Sequence, residues 1–265
     1  MSTPSPLVVL PVHGFGPIGP GDDLAALITE RCAASEPLTA GDVVVVASKV
    51  VAKAEGRAVS LRDVDPSPRA VELAHRTGKD ERLVELILRE STQVVRARPG
   101  VLLVRHRLGF VSANAAIDAS NVGTDRDEVL LLPADPDASA RSLAASLRAA
   151  GAHVGVVISD THGRAFRRGN VGVAIGLAGV VALAARNGEP DLYGRTLEAT
   201  FVPVGDLAAA AAGVVTGEGA EGVPVVIVRG LPVAVTDALD ATSSADLVRS
   251  AGEDLFADGG DDDRA

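Results

Sequence analysis

Short apolar runs recur along the chain and are separated by longer stretches of mixed polarity. Each run is rich in Val or Leu and ends near glycine, proline or a polar residue, which is the pattern of a buried strand. No internal repeat is found. The strands predicted in this way span residues 7–12, 42–48, 100–106, 153–159 and 223–230.

Stretches with helical periodicity lie between the predicted strands. Asp22 and Asp23 stand where N-terminal caps belong, before an Ala/Leu-rich run. Gly78 interrupts the most helical part of the chain and predicts two helices there, and Gly151 is a C-terminal helix signal. The predicted helical stretches are 21–35, 66–92, 137–151 and 206–219.

The order of these elements is irregular. Strand-like runs near 100–113 and 191–204 fall outside a strict strand–helix–strand rhythm, so the pattern favours an α+β fold with a mixed sheet over a doubly wound parallel sheet. We predict one two-lobed domain over residues 1–256. Residues 257–265 are acidic and glycine-rich and are predicted to form a solvated C-terminal tail.

Composition supports a packed core and excludes several classes of protein. The chain has 265 residues, of which 47% are hydrophobic and only 2% aromatic, so the core must consist of small and branched aliphatic side chains. The formal net charge is −10, which argues against nucleic acid as a partner because duplex affinity comes largely from Lys and Arg.

The remaining compositional signals favour a cytoplasmic protein without membrane contact. Cys32 is the only cysteine, which excludes a disulfide framework and a thiolate zinc cage. The N-terminal segment has no basic region of the kind that opens a signal peptide. The longest apolar run, 171–185, is shorter than the roughly 20 residues that span a bilayer. It also contains three glycines. It is therefore predicted to be core.

A glycine pattern follows the first predicted strand. The segment GFGPIG (14–19) matches G-x-G-x-x-G, which raises the alternative of a dinucleotide site. Pro17 and Pro20 impede a helix that begins inside this pattern, and no acidic residue closes a second strand about 20 residues later, as the dinucleotide fold requires. The chain contains no phosphate-binding loop of the G-x-x-x-x-G-K-[ST] type.

Two further segments place polar residues beside predicted core. Ser48, Lys49 and Lys53 lie at and just after a strand end, where the lysines either form a solvated face or bind phosphate. In NAAIDASNV (114–122), Asp118 stands in an apolar setting and needs a partner, because an unpaired carboxylate near a core costs several kcal/mol. Asp118 is thus a helix N-cap or a metal ligand.

The segment SDTHGR (159–164) follows a buried strand, at the edge where open sheets place ligands. Asp160 and Thr161 supply hard oxygen donors suited to Mg²⁺ or Mn²⁺ beside a phosphate. Arg164, Arg167 and Arg168 follow and suit an oxyanion. His162 is assigned no role, since a single histidine outside a cluster is more often incidental.

A glycine-rich segment, TGEGAEGVP (216–224), precedes the last predicted strand. Its glycines allow the backbone to approach a ligand closely. A carboxylate in such a loop, from Glu218 or Glu221, can reach a cation. The alternative is a plain connecting loop.

Taken together, these segments resemble the F420:gamma-glutamyl ligases, a family of coenzyme F420-0:L-glutamate ligases. They occur in the order and spacing of that family, from about Val8 to Phe256. The segments are GPIGPGDDLAALI, ASKVVAKAEGR, NAAIDASNV, ISDTHGRAFRRGNVGVAIG, DLYGRTLEAT and TGEGAEGVPVVIVRGL. One departure is FGPI at 15–18, where the family more often has LPLI; this affects side-chain contacts there more than backbone contacts.

The resemblance implies a non-Rossmann α+β fold, an intimate homodimer, and ligation of L-glutamate to coenzyme F420-0 with GTP as co-substrate. It implies two divalent cations, Mg²⁺ or Mn²⁺, with K⁺ as a further candidate: Asp118 and Asp160 hold one cation, and Thr161 with Glu218 holds the second. The implied catalytic residues are Asp118, Asp160, Arg164 and Arg168. The implied GTP contacts are Phe15, Gly16, Pro17, Ile18, Ser48, Lys49, Lys53, Asn121, Thr216, Gly217, Glu218, Gly219, Ala220, Glu221, Gly222 and Val223.

Two alternatives from other classes of protein remain at this point. A non-catalytic module would bind GTP and metal without releasing GDP. A nicotinamide-dependent oxidoreductase would use GFGPIG for its cofactor.

Overall fold

The structure is a computed structural model, and it describes residues 6–119, 127–232, 235–250 and 252–254. Its helices are α1 (Leu24–Ala34), α2 (Ser48–Ala54), α3 (Pro68–Thr77), α4 (Glu81–Arg89), α5 (Pro136–Ala149) and α6 (Val204–Thr216). Its strands are β1 (Val8–Val12), β2 (Val43–Ala47), β3 (Ala58–Ser60), β4 (Ser91–Arg98), β5 (Val101–His106), β6 (Val111–Ala113), β7 (Glu128–Leu130), β8 (Gly155–Arg164), β9 (Arg167–Ala178), β10 (Ala184–Ala185), β11 (Phe201–Val202) and β12 (Val225–Arg229).

The main sheet is mixed, as predicted. Its strand order is β1-β12-β2-β8-β9, and β2 and β8 are parallel while the other neighbours are antiparallel. The inner strands β2 and β12 are almost continuous runs of Val and Ile, as expected for a sheet with both faces covered. The fold is therefore α+β with a mixed sheet.

Helices pack on both faces of the main sheet. On one face, α1 and α5 pack with Ile28 and Leu147 against the sheet, and on the other face α6 packs with Ala208 and Ala212. Small residues allow these close contacts. A Cβ on Gly172 of β9 would lie 2.5 Å from the carbonyl oxygen of Ala209 in α6, so only glycine fits between this strand and this helix.

A second lobe has its own hydrophobic cluster. Helices α3 and α4 pack on the three-stranded sheet β4-β5-β6, with Leu73, Ile87 and Leu102 in the cluster. Gly78 ends α3 in the left-handed conformation, with φ of 71°, which confirms the predicted interruption. The predicted helical stretch 66–92 is too long at its end, because the chain leaves α4 at Arg89 and continues as β4.

The apolar run 171–185 is core, as predicted. Ile175, Leu177, Val180 and Ala182 are all buried. No helix in the described residues is long and apolar enough to cross a membrane.

A carboxylate joins the second lobe to the rest of the molecule. Glu90, which caps the end of α4, lies 3.2 Å from the Arg57 guanidinium and accepts a hydrogen bond of 2.9 Å from Arg107 Nε. Burial acts to raise the pKa of Glu90, but His106 at 3.6 Å, the hydrogen bond from Arg107 and the charges of Arg107 and Arg57 outweigh it and lower the pKa to about 2. Arg107 also donates to the carbonyl of Ala134, which ties β5 to the segment before α5.

The ionised form of Glu90 should stabilise the fold above pH 4.5. A carboxylate whose pKa falls from 4.5 to about 2 contributes about 3 kcal/mol, which is lost as the pH falls through this interval. We expect Glu90→Gln to be less stable than the wild type at pH 7, and the gap to narrow between pH 4.5 and pH 2. Urea unfolding between pH 7 and pH 3 measures it. Glu72→Gln, which removes an exposed carboxylate 4.0 Å from Arg76, is the control; an equal pH dependence in both variants would contradict the assignment to Glu90.

Candidate functional site

A pocket of about 580 Å³ opens at the carboxyl ends of the parallel strands β2 and β8. Ala47 pairs with Ser159 at the last rung of their ladder, so the residues that follow each strand meet at the same edge. Segments from five distant parts of the chain line the pocket. The lining residues predicted as functional are Phe15, Gly16, Pro17, Ile18, Ser48, Lys49, Lys53, Asp118, Asp160, Thr161, Thr216, Gly217, Glu218, Gly219, Ala220, Gly222 and Val223.

The carboxylate of Asp160 is held between two elements. Ser48, the first residue of α2, donates a hydrogen bond of 2.9 Å from Oγ to Asp160 Oδ1. His162 Nε2, two residues along β8, lies 3.2 Å from Asp160 Oδ2. Since alternate residues of a strand share a face, Asp160 and His162 lie side by side. Each oxygen of this carboxylate therefore has a polar neighbour within the protein.

Lys49 forms an ion pair with Asp118, the second aspartate that lines the pocket. Lys49 Nζ is 2.5 Å from Asp118 Oδ2, and about a third of each side chain is exposed. The backbone of Asp118 forms two hydrogen bonds with Leu130 of β7, of 3.0 and 2.8 Å. Asp118 is thus tied to a strand through its backbone and to Lys49 through its side chain. A helix that Asp118 could cap would extend into residues 120–126, which lie outside the described residues, so both the N-cap and the metal-ligand interpretations stay predictions.

The turn before Asp118 is strained. Asn114, Ala115 and Ala116 all have φ near +53°, in the left-handed region that costs L-residues roughly 1–2 kcal/mol each. Ala115 is buried in the second-lobe cluster, and Ala116 lines the pocket. Strain of this kind persists where the surroundings over-determine it and often marks a functional site. Here it directs the chain from the second lobe into the pocket.

The glycine-rich loop closes the far side of the pocket. Gly217 has a positive φ of 69°, which suits glycine at the end of α6. The backbone N–H of Gly219 donates a hydrogen bond of 2.8 Å to Glu221 Oε2. Glu221 therefore folds back on its own loop and is absent from the pocket lining, whereas Glu218 lines the pocket.

The early glycine loop does not form a dinucleotide fingerprint. Residues 13–20 form no helix, and α1 begins only at Leu24, capped by Asp23. The preceding strand β1 is an edge strand antiparallel to β12, whereas the dinucleotide fold needs a parallel strand followed at once by a helix. The loop instead presents Phe15, Pro17 and Ile18 as an apolar wall of the pocket.

The predicted arginines lie at the tip of a long hairpin. Strand β8 extends to Arg164, well past the predicted end at 159, and β9 returns from Arg167. Arg164 donates a hydrogen bond of 2.6 Å to the carbonyl of Arg168, and both side chains are exposed. At about 3.3 Å per residue, Arg164 lies about 10 Å along the strand from Thr161. Arg164 and Arg168 are outside the pocket lining, and Asn121 lies outside the described residues.

Sequence reasoning missed His162. Its side chain is only 12% exposed, and its ring contacts Phe110 with centroids 4.7 Å apart. Asp206 of α6 is a second missed group: burial raises the pKa of its carboxyl, although a hydrogen bond from Ala174 and the charge of His162 act in the opposite direction. The spacing of Asp160 and His162, two residues apart, would place both on the same face if the segment were a strand. The segment is polar, however, and a polar segment is typical of a loop.

The pocket residues suit a hard divalent cation in their chemistry. Asp118, Asp160 and Thr161 offer carboxylate and hydroxyl oxygens. The ion pair between Lys49 and Asp118 shows that the carboxylate of Asp118 attracts a positive charge. Within the described ranges, no three His, Cys, Asp or Glu side chains converge as a protein-only cage. This donor set matches Mg²⁺ sites that use one or two carboxylates with phosphate and water as the other ligands.

Comparison with known proteins gives consistent results. The family model described as F420-0:Gamma-glutamyl ligase matches residues 14–230. A coenzyme F420:L-glutamate ligase from Methanopyrus kandleri is 49% identical over 240 residues, covering 90% of this chain and 93% of the relative. The protein of the same name from Archaeoglobus fulgidus is 46% identical and covers 94% and 95%. The one from Methanothermobacter thermautotrophicus is 49% identical and covers 83% and 88%.

Proposed function

Because this chain belongs to the F420-0:gamma-glutamyl ligase family, we propose that it joins L-glutamate to coenzyme F420-0 and uses GTP to activate the carboxylate. The observation that carries this proposal is the convergence of the predicted nucleotide and cation residues on one pocket. They come from five distant segments of the chain, and their meeting at one edge of the sheet supports a shared function.

The pocket has room and chemistry for a nucleoside triphosphate. Its volume of about 580 Å³ falls within the 300–1,000 Å³ usual for small-molecule sites. Phe15 and Ile18 offer an apolar surface for the base, and the glycines of 216–222 allow the backbone to approach the ligand. Lys49 and Lys53, four apart on α2, supply positive charge for the phosphates.

The proposed reaction begins with the terminal carboxylate of F420-0. One carboxylate oxygen attacks the γ-phosphorus of GTP, the bond from that phosphorus to the β,γ-bridging oxygen breaks, and GDP leaves. The neutral amine of glutamate then attacks the acyl carbon, the carbon–oxygen bond to phosphate breaks, and phosphate leaves and takes up the proton that the nitrogen loses. No nucleophilic side chain is required. Cys32 is buried in α1, and burial and the nearby charge of Asp42 raise its thiol pKa to about 11.

The residues of the pocket divide this work. Asp118, Asp160, Thr161 and Glu218 would hold Mg²⁺ or Mn²⁺, which when bound neutralises phosphate charge and aligns the transferring group. Lys49 or Lys53 stabilises the departing GDP, and Ser48 keeps Asp160 in position through its hydroxyl. Arg164 and Arg168, about 10 Å further along the hairpin, suit the phosphodiester and carboxylates of F420-0. K⁺ is a further candidate cation.

Mass spectrometry of the deazaflavin tests the activity. The full chain is incubated with F420-0, GTP, L-glutamate and Mg²⁺ or Mn²⁺, and the product should gain glutamyl units with stoichiometric release of GDP. A non-catalytic nucleotide-binding module would leave the deazaflavin mass unchanged. Thermal protection by NAD(P) rather than by GTP would favour the oxidoreductase alternative.

We expect the chain to form a homodimer through exposed apolar side chains. Leu207 and Val214, seven residues apart on α6, are 47% and 81% exposed, and Leu192 and Tyr193 are at least 90% exposed. Light scattering at micromolar concentration should give the dimer mass. Val214→Glu should shift the protein toward monomer, whereas Val101→Glu, at a position 42% exposed on the second lobe, should not. A monomeric wild type would contradict the proposal.

Lys49 should compete with the cation for Asp118. We expect Lys49→Met to bind Mn²⁺ more tightly without nucleotide, because the ammonium 2.5 Å from Asp118 is gone. The same variant should bind GTP about 10- to 100-fold more weakly, since a charge-assisted contact to phosphate is lost. Paramagnetic resonance of Mn²⁺ and calorimetry of GTP measure these effects. Lys53→Met is the matched control on the same helix; an equal gain in Mn²⁺ affinity there would indicate a general field effect.

A further inference from the structure

We infer that His162 is a positioning residue that fixes the carboxylate of Asp160 for cation binding. This inference rests on the proposed function, because that proposal makes Asp160 a cation ligand. It adds His162 to the residues that support the cation site, although the segment SDTHGR (159–164) alone does not indicate this role.

The first observation is the burial of a polar atom. His162 Nε2 is buried and has no aligned hydrogen-bond partner among the described residues. A buried nitrogen without a partner costs roughly 1–3 kcal/mol, so its presence needs an explanation. The acceptor that the structure brings to it is Asp160 Oδ2, at 3.2 Å. A small rotation of either side chain completes this hydrogen bond.

The second observation is that Asp160 is held from both sides. Ser48 donates to Oδ1 from α2, and His162 lies against Oδ2 from β8 itself. A carboxylate with a polar neighbour at each oxygen is restricted in its rotation, and Asp160 lines the pocket. Outer residues of this kind commonly set the orientation and affinity of a metal ligand.

The third observation is the support of the imidazole ring. The ring of Phe110 contacts the ring of His162. Phe110 is also stacked on His106, with ring centroids 5.1 Å apart and an interplanar angle of 5°. His106 is fully buried and lies 3.6 Å from Glu90, the carboxylate that joins the lobes. Contacts that begin in the second lobe therefore hold the His162 ring against Asp160. This accounts for a histidine with a side-chain exposure of only 12% beside the pocket.

Two substitutions separate positioning from simple packing. His162→Leu keeps an apolar side chain but removes the nitrogen. His162→Gln keeps an amide nitrogen the same number of bonds from Cβ as Nε2. A matched control is His153→Leu, because His153 also pairs with an aspartate, at 2.9 Å, but is half exposed, and that aspartate, Asp237, lies outside the pocket lining whereas Asp160 belongs to it.

The experiment is a Mn²⁺ titration of the full chain, read by paramagnetic resonance, with guanosine 5′-(β,γ-imido)triphosphate present. His162→Leu should weaken Mn²⁺ binding about 10- to 100-fold, the range found when a residue behind a metal ligand is removed. His162→Gln should restore most of the affinity, and His153→Leu should match the wild type. In turnover, His162→Leu should raise the half-saturating Mn²⁺ concentration more than it lowers the rate at saturation.

Two outcomes would overturn the inference. The first is a wild-type Mn²⁺ affinity in His162→Leu. The second is an equal loss of Mn²⁺ affinity in His162→Leu and His162→Gln together with a matching fall in the thermal midpoint, because that result indicates a role in packing alone. Asp160→Asn in the same titration separates this inference from the proposed function. If Asp160→Asn loses Mn²⁺ and His162→Leu does not, only the role of His162 fails; if Asp160→Asn binds Mn²⁺ normally, the cation site fails and His162 with it.

Discussion

Asp160→Asn is expected to lower the rate of glutamate ligation by about two to three orders of magnitude and to leave the fold intact. A cation beside the transferring phosphoryl group contributes several kcal/mol of charge stabilisation, and each 1.4 kcal/mol is a factor of ten in rate. The asparagine keeps the shape of the side chain and an oxygen that can accept from Ser48, but it lacks the charge that a hard cation requires. Steady-state release of GDP at saturating Mn²⁺ measures the effect.

The fold and the general electrostatics need separate controls. Circular dichroism and the thermal midpoint of Asp160→Asn should stay close to those of the wild type, because the side chain lies at the pocket edge of β8 rather than in the core. Asp237→Asn removes a carboxylate that also pairs with a histidine but is 99% exposed, and it should keep full activity. Turnover by Asp160→Asn near the wild-type rate would show that the cation binds elsewhere.

The location of the site could be predicted from the sequence because it follows from sheet topology. The runs 42–48 and 153–159 are both buried strands, and polar residues follow each of them directly. Once these strands pair in parallel, with Ala47 opposite Ser159, Ser48 and Asp160 must lie together. The hydrogen bond of 2.9 Å between them is a consequence of that register.

The length of the hairpin could not be predicted. Residues 160–170 are polar and arginine-rich, which is typical of a loop, yet they continue the strands β8 and β9 because the backbone ladder between them extends beyond the core. This extension places Arg164 and Arg168 outside the pocket and gives His162 the same face as Asp160. Polarity alone does not distinguish an exposed ribbon from a loop.

Two further features could not be predicted from the sequence: the strained turn at 114–116 and which glutamate of the glycine-rich loop lines the pocket. Alanine is a common helix former, so Ala115 and Ala116 give no sign of a left-handed backbone. Tertiary packing imposes it, because Ala115 must fill the second-lobe cluster while the next residues reach the pocket. The residues of the loop alone did not distinguish Glu221 from Glu218, whereas in the structure Glu221 accepts a hydrogen bond from Gly219 and Glu218 lines the pocket.

The largest chemical consequence concerns the fate of one oxygen atom. A carboxylate does not accept an amine at neutral pH because its oxide is too poor a leaving group, so it must be activated before glutamate attacks, and the route proposed above is transfer of the γ-phosphoryl group of GTP. If F420-0 carries ¹⁸O in both oxygens of its terminal carboxylate, the oxygen that attacks the γ-phosphorus must leave with phosphate. We therefore expect one labelled oxygen in the phosphate released for the first amide bond formed on each F420-0, measured by mass spectrometry. A parallel reaction in H₂¹⁸O with unlabelled F420-0 controls for hydrolysis and should leave the phosphate unlabelled.

Trapping with hydroxylamine provides an independent measurement of the same intermediate. Supplied in place of glutamate, it should give a deazaflavin hydroxamate only when GTP and Mg²⁺ or Mn²⁺ are both present, because it attacks an acyl phosphate but not a carboxylate. Asp160→Asn should abolish the hydroxamate together with ligation, whereas Asp237→Asn should yield as much as the wild type, since its exposed carboxylate lies outside the pocket. Unlabelled phosphate during confirmed ligation would rule out the acyl phosphate. Asp118, Asp160 and the lysines of α2 would then act on the nucleotide in a different reaction, in which the oxygen of the substrate carboxylate is not transferred to the γ-phosphorus.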